Sequence, residues 1–413
     1  MPVAPTSTAG LVGLFVILVA LATAAALLVR RIRIPYTVVL VLLGLGAAVL
    51  RPQLQVQVPP DLILAVFLPG LVFESGYRLD LTELRRTFGA VAVLAVPGVI
   101  LTAAAMAGVL ALATGLPPQL GFLVGAMLAA TDPAAVIAAI RRMRAPTRLA
   151  TLIEAESVFN DGSAIVIFAV ALTGLGGGLS LFDAAIQLAF TVTVSAIVGI
   201  LAGFIAARVI TRIDDHLIEL SITLVLAYGT YMLADAFHQS GIIATVTAAM
   251  VLGLYTRRGA MSERSLEAVD TVWEFAAFLL TALVFLLIGL VISVPDLVDA
   301  LVPIGWGIVA ILGARAIVVY GLVGGASRLL RPPDRRIPAG WLNVMVAAGM
   351  RGAVSVALAL SLPPTVPQRT LLVEITFGIT LFTLIAQGLA LGPIVRRSLP
   401  PDTMRYDDAI PTQ

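Results

Sequence analysis

The chain is expected to be an all-α polytopic membrane protein with about thirteen transmembrane helices, inverted six-helix repeats and two broken helices that cross. Three observations lead there. Of 413 residues, 60% are hydrophobic and only 12% charged, with a mean hydropathy of +1.05; a typical soluble chain carries about 25% charged residues. Apolar segments of membrane-crossing length recur along the whole sequence. Two of them carry carboxylate-bearing runs in their middle, Thr131-Asp132-Pro133 and Asn160-Asp161-Gly162. A charge at membrane depth costs about 2.5–3.5 kcal/mol on insertion scales, so it is kept only if it is paired, hydrated or used.

Segments of roughly 17–20 or more apolar residues are candidate spans. They fall near 9–29, 36–50, 60–77, 86–113, 118–139, 149–174, 181–210, 217–236, 239–256, 268–293, 296–327, 338–361 and 370–394. The first reads as a retained span: residues 1–8 hold no charged side chain, and Arg30, Arg31 and Arg33 follow the apolar run. A cleaved signal peptide has the opposite order. Arginine then clusters after every odd-numbered span, for example Arg78/85/86, Arg141/142/144/148, Arg257/258/264 and Arg328/331/335/336. After even-numbered spans come only Arg51 and Arg369. Basic residues favour the cytoplasmic side, so the N-terminus is expected outside and the C-terminus in the cytoplasm, in the cell (inner) membrane.

Spans 5 and 12 are both interrupted mid-membrane, the first by Asp132-Pro133 and the second by Gly349 and Gly352 around Arg351. Proline lacks an N–H and disfavours helix in the residue before it. The two lie an odd number of spans apart and so run in opposite directions. Paired, interrupted segments in corresponding positions are the mark of an inverted repeat around a midplane site. The expected organisation is one membrane domain over 1–397, with repeats at about 9–174 and 217–394, a linking helix at about 181–210 and a short cytoplasmic tail at 398–413.

Few ionisable groups remain inside spans. Ser157 and Asp161 are four apart and share a helix face, where both present oxygen to a cation. Hard cations want oxygen ligands, and Thr131, Asp132 and carbonyls freed at the break extend that set. Glu156 and Asn160 lie on a face rotated from Asp161. Arg351 needs an anion, and a structural Glu156–Arg351 pair joining the two repeats is the expectation. Arg315 has no partner visible in sequence beyond the carbonyls of a broken helix. Glu219, Glu274 and Glu374 lie near span ends, where they are expected to snorkel or cap.

Other chemistries are excluded by what is missing. There is no cysteine, no lysine and only two histidines, His216 and His238, so no thiolate or histidine-rich metal centre is possible. There is no HExxH and no convincing serine–histidine pair, so the chain is expected to be no enzyme, to need no cofactor and to bind no nucleic acid.

Three motifs now identify a resemblance. Glu156-Ser157-Val158-Phe159-Asn160-Asp161, Thr131-Asp132-Pro133-Ala134-Ala135-Val136 and Gly349-Met350-Arg351-Gly352-Ala353-Val354-Ser355 resemble the electroneutral NhaP/NHE-type branch of the monovalent cation–proton antiporters. Phe73-Glu74-Ser75-Gly76 and Trp273-Glu274-Phe275 fit the same family. The resemblance implies that Asp161 binds either cation or proton, with Asp132, Ser157, Thr131, Asn160 and Glu74 around the ion, which is sodium or lithium. It also implies alternating access, a role in pH homeostasis and a homodimer whose six-helix core moves against a dimerisation domain. Electrogenic relatives carry Asp-Asp in place of Asn160-Asp161 and lysine in place of Arg351, which points this chain to one-for-one exchange. Potassium–proton exchange on the same fold is the nearest alternative, and a cation channel a remote one.

Overall fold

The structure, a computed structural model, describes residues 8–29, 35–50, 63–143, 145–177, 180–292, 294–330 and 336–399. Arg30, Arg31, Arg33, Arg51, Arg144, Arg331 and Arg335, like most of the predicted tail, lie outside the described residues. Every described element is helical. Apart from the short segments Ile63–Phe67, Thr256–Ala260 and Val294–Asp299, they are in order α1 (Thr8–Val29), α2 (Tyr36–Leu50), α3 (Leu68–Arg78), α4 (Leu81–Thr114), α5 (Pro118–Ala129), α6 (Ala134–Arg142) and α7 (Thr147–Gly174). There follow α8 (Leu181–Ile210), α9 (His216–Ala236), α10 (Gly241–Tyr255), α11 (Glu263–Val291), α12 (Leu301–Leu329), α13 (Ala339–Ala347), α14 (Ala353–Leu360) and α15 (Arg369–Ser398).

Helix cuts across each of the thirteen predicted apolar stretches. Seven of these helices, α4, α7, α8, α9, α11, α12 and α15, are long and apolar enough to cross a membrane. The main boundary corrections follow from capping. The fourth and tenth stretches begin five residues before the predicted 86 and 268, at Leu81 and Glu263, because Asp80 accepts from the Thr82 and Glu83 N–H groups and Ser262 from that of Ser265. Ser180 forms a reciprocal capping box with Asp183, and Asp215 starts α9 by accepting from Leu217 and Ile218. Such caps satisfy N–H groups that the first turn leaves without partners. Hydropathy carries no record of these polar starts.

The helices that position the centre pack through small residues. α2 and α11 touch at Gly44 and Gly289: a Cβ on Gly44 would strike the Leu286 carbonyl, and one on Gly289 the Val41 carbonyl. Close backbone approach of this kind is how apolar helices gain contact where burial of oil against oil supplies little drive. α8 approaches α10 in the same way at Gly199 and Gly203, while its Phe182, Ile186, Phe190, Ile200 and Ile205 are all exposed.

α4 is bent by Pro97 into a π-helical turn over Leu94–Gly98. Proline supplies no N–H and crowds the carbonyl four residues back. The Val99 N–H reaches Val96 O instead of Ala95 O, and the freed Ala95 carbonyl accepts from Ser163 Oγ on α7. That bond seats α7 against α4 two residues beyond Asp161.

The close crossing is testable. Gly289→Leu is expected to lower the detergent melting temperature, at a cost of about 1–3 kcal/mol from overpacking. Gly46→Leu is expected to leave it unchanged, because a Cβ at Gly46 would meet nothing within 4 Å.

Candidate ion site

Two helix breaks meet at the centre. In the first, α5 stops at Ala129 and α6 begins at Ala134. Asp132 Oδ1 accepts from the Ala134 N–H at 2.8 Å, and Pro133 O accepts from the Ile137 N–H at 2.8 Å. Asp132 therefore caps α6, with proline in the first turn, where its missing N–H costs nothing. In the second, α13 stops at Ala347 and α14 begins at Ala353. One backbone bond ties the breaks together, from the Asp132 N–H to Met350 O at 2.8 Å.

The C-terminal ends of α5 and α13 leave carbonyls that carry partial negative charge. Each receives an arginine. Arg351 Nη1 donates to Ala129 O at 3.1 Å and to Ala130 O at 3.4 Å. Arg315 donates to Met345 O through Nε at 3.1 Å and Nη2 at 2.6 Å. The flanking glycines make room for these groups. A Cβ on Gly349 would sit 3.0 Å from Arg315 Nε, and one on Gly352 would sit 2.5 Å from Asp132 Oδ2.

The structure corrects the predicted ion pair. Glu156 is bound by Arg315, with Arg315 Nη2 3.0 Å from Glu156 Oε2 and Nη1 bonded to Oε1; no Glu156–Arg351 bridge forms among the described residues. Arg351 instead spends its guanidinium on the α5 carbonyls. A guanidinium has five donors and can spend them on carbonyl dipoles as well as on a carboxylate; Arg351 uses Nη1 in this way while its Nε is buried without a hydrogen-bond partner among the described residues. Arg315 does bind the carbonyl of a broken helix, as expected, and in addition carries the buried carboxylate. Glu219 lies in the first turn of α9, at the span end as expected, but is 1% exposed and so does not snorkel.

On α7, Asn160 reaches across to the first break. Its Nδ2 donates to Thr131 Oγ1 at 2.7 Å, while its Oδ1 accepts from the Thr131 N–H at 3.3 Å. An aspartate there has no donor for the hydroxyl. Ser157 Oγ donates to Thr131 O. Thr131 is thus gripped at its N–H, hydroxyl and carbonyl by one face of α7.

A cavity of about 280 Å³ opens beside this grip, lined by Glu74, Thr131, Asp132, Ser157 and Asp161 among others. Asp132 has one oxygen committed to its cap. Asp161 Oδ1 is buried with no hydrogen-bond partner among the described residues, and the charge of Asp132 acts on it. Two carboxylates, a hydroxyl and backbone oxygens around one cavity make a site for a hard cation or a proton. Glu74 lines the same cavity but is held by Arg78, with Oε1 3.1 Å from Nε. Sequence reasoning missed Arg78, whose position in an arginine-bearing loop read as orientation alone.

The chain is similar to known proteins in sequence and in fold. A family profile described as sodium/hydrogen exchanger, transmembrane, matches residues 16–397. The chain is 39% identical over 370 residues to the Na(+)/H(+) antiporter ApNhaP of Aphanothece halophytica, covering 88% of this chain and 70% of that one. It is 35% identical over 354 residues to the Na(+)/H(+) antiporter NhaP of Pseudomonas aeruginosa, covering 82% and 81%. The fold superposes on that of the sodium proton antiporter MjNhaP1 of Methanocaldococcus jannaschii with a TM-score of 0.77, at 23% identity, over 93% of this chain and 97% of the other.

The corrected pairing makes a specific prediction for thermal unfolding in detergent. Glu156→Gln or Arg315→Gln alone is expected to cost about 3–5 kcal/mol, because each leaves a buried charge uncompensated. A double-mutant cycle is expected to show stronger coupling between Glu156 and Arg315, which are in contact, than between Glu156 and Arg351, which interact only at a distance.

Proposed function

Because the chain belongs to the sodium/hydrogen exchanger family, we propose that it exchanges sodium for protons across the membrane, one for one, with Asp161 carrying either ion. The observation behind this is the unpartnered Asp161 oxygen in a cavity it shares with Asp132, Thr131 and Ser157. A buried polar atom without a partner is costly, and a proton or a cation removes that cost. Two ligands competing for one oxygen is the chemistry of exchange.

The division of labour follows from the bonds. Asp132 is the fixed carboxylate, tied to the first turn of α6. Asp161 is the exchanging one. Ser157 and Thr131 add oxygen ligands, and Asn160 holds Thr131 in place. With Asp161 unoccupied the site holds two neighbouring anions, which resist transfer through a low-dielectric barrier. With a proton or sodium bound, one charge is neutralised and the carrier crosses. An empty carrier that cannot cross enforces coupled exchange, and alternating access then means motion of the elements bearing the two breaks against the rest of the molecule. The N-terminus outside, the C-terminus in the cytoplasm and a homodimer complete the proposal.

Reconstituted protein in acid-loaded vesicles, with the membrane potential clamped, tests it directly. Sodium is expected to drive proton flux in the native protein and none in Asp161→Asn; exchange by that variant would remove Asp161 from its role. Lowering the pH on the sodium side is expected to raise the apparent KM for sodium, since protons fill the same carboxylate. The slope approaches about tenfold per pH unit where the carboxyl is mostly protonated. Gly352→Ala, which pushes on the Asp132 carboxylate, is expected to weaken sodium binding in protein that still folds.

A further inference from the structure

Arg78 ends α3 at the wall of the ion cavity. Its Nε lies 3.1 Å from Glu74 Oε1, one helical turn back. Its Nη2 lies 3.2 Å from Glu274 Oε2 and donates to Asp270 O at 2.9 Å, both on α11. The Arg78 carbonyl in turn accepts from Arg257 Nη2 at 3.1 Å. Among the described residues that line the cavity, Arg78 is the positively charged one, beside Glu74, Asp132, Glu154 and Asp161.

We propose that Arg78 is a tethered competitor for the transported cation, a positioning residue that sets apparent affinity by holding Glu74. The inference rests on the exchange reading above. While Arg78 grips Glu74, that carboxylate's charge is cancelled and its oxygen is turned to the guanidinium rather than to the ion. An arriving cation draws Glu74 away. The release is inexpensive because Arg78 keeps a second carboxylate, Glu274, and a carbonyl on α11, and a guanidinium has donors enough for several acceptors. Glu274 is 72% exposed and is not among the residues lining the cavity, so this second partner stands outside it while Glu74 stands within it. Arg78 thus lies between two carboxylates, and its distribution between them controls how much negative potential the ion meets.

Sodium-driven proton flux in vesicles is measured against sodium concentration, with KM and maximal rate separated. Arg78→Gln is expected to lower the KM for sodium about three- to fivefold, the range of a partly exposed ion pair, with the maximal rate little changed. Arg78→Lys, which keeps the charge, is expected to return the KM towards its native value. In a Glu74→Gln background, Arg78→Gln is expected to shift the KM no further. Glu274→Gln, at an exposed position, is expected to raise the KM about twofold, since it leaves Glu74 as the one carboxylate bound to Arg78; this arm stands even if Arg78→Gln does not fold. A KM unchanged or raised in Arg78→Gln, a fall of equal size without Glu74, or a KM lowered or unmoved in Glu274→Gln overturns the proposal. If native protein shows saturable sodium-driven flux while these shifts fail, the exchange reading stands and only the role of Arg78 falls; absence of native flux overturns both.

Discussion

A helix that stops inside a hydrocarbon layer must find partners for its ends within the protein, since each unpaired polar group there costs several kcal/mol. This chain stops two helices at one place, and the centre is organised around meeting that demand. The negative ends of α5 and α13 are met by Arg351 and Arg315. The positive end of α6 is met by Asp132, whose carboxylate also lies against Gly352 just before α14. Charges that a bilayer would reject are stable here because broken backbone supplies opposite partial charge beside them.

The same constraint separates structural charge from functional charge. Glu156, Arg315 and Arg351 are bound by ion pairs or carbonyls and hold the breaks in register. Asp132 is half committed. Asp161, one turn beyond Ser157 on α7, is left with a buried oxygen that no described protein group satisfies. Asn160, its neighbour, completes the arrangement from a different face by fixing Thr131. A rigid frame around one unsatisfied carboxylate is what lets proton and cation exchange there without rebuilding the site.

Legibility of these features varied with their range in sequence. The breaks were readable because proline and paired glycines act on their own backbone. Asp161 with Ser157, and Glu156 with Asn160, were readable as faces because helical spacing is local. The Glu156 partner was not: Arg315 and Arg351 both lie far away in sequence, both sit in apolar stretches, and either guanidinium suits a carboxylate. The choice fell to Arg315 because α12 passes beside α13, where the absent side chain of Gly349 admits its guanidinium. Arg78 escaped notice for a related reason, since its contacts with Glu274 and Asp270 connect helices nearly two hundred residues apart.

By itself, then, the sequence determined an all-helical membrane protein with two broken helices, one carboxylate at a break and another on the span that follows it, and its motifs carried the resemblance to sodium/proton exchangers. Hydropathy, helix breaking and helical periodicity are properties of neighbouring residues, so they are written in order along the chain. Tertiary structure decided which arginine neutralises which carboxylate, which aspartate is left without a partner and that Arg78 also reaches Asp270 and Glu274 on α11. Those outcomes depend on which helices come within hydrogen-bond distance, and several geometries satisfy the same set of charges.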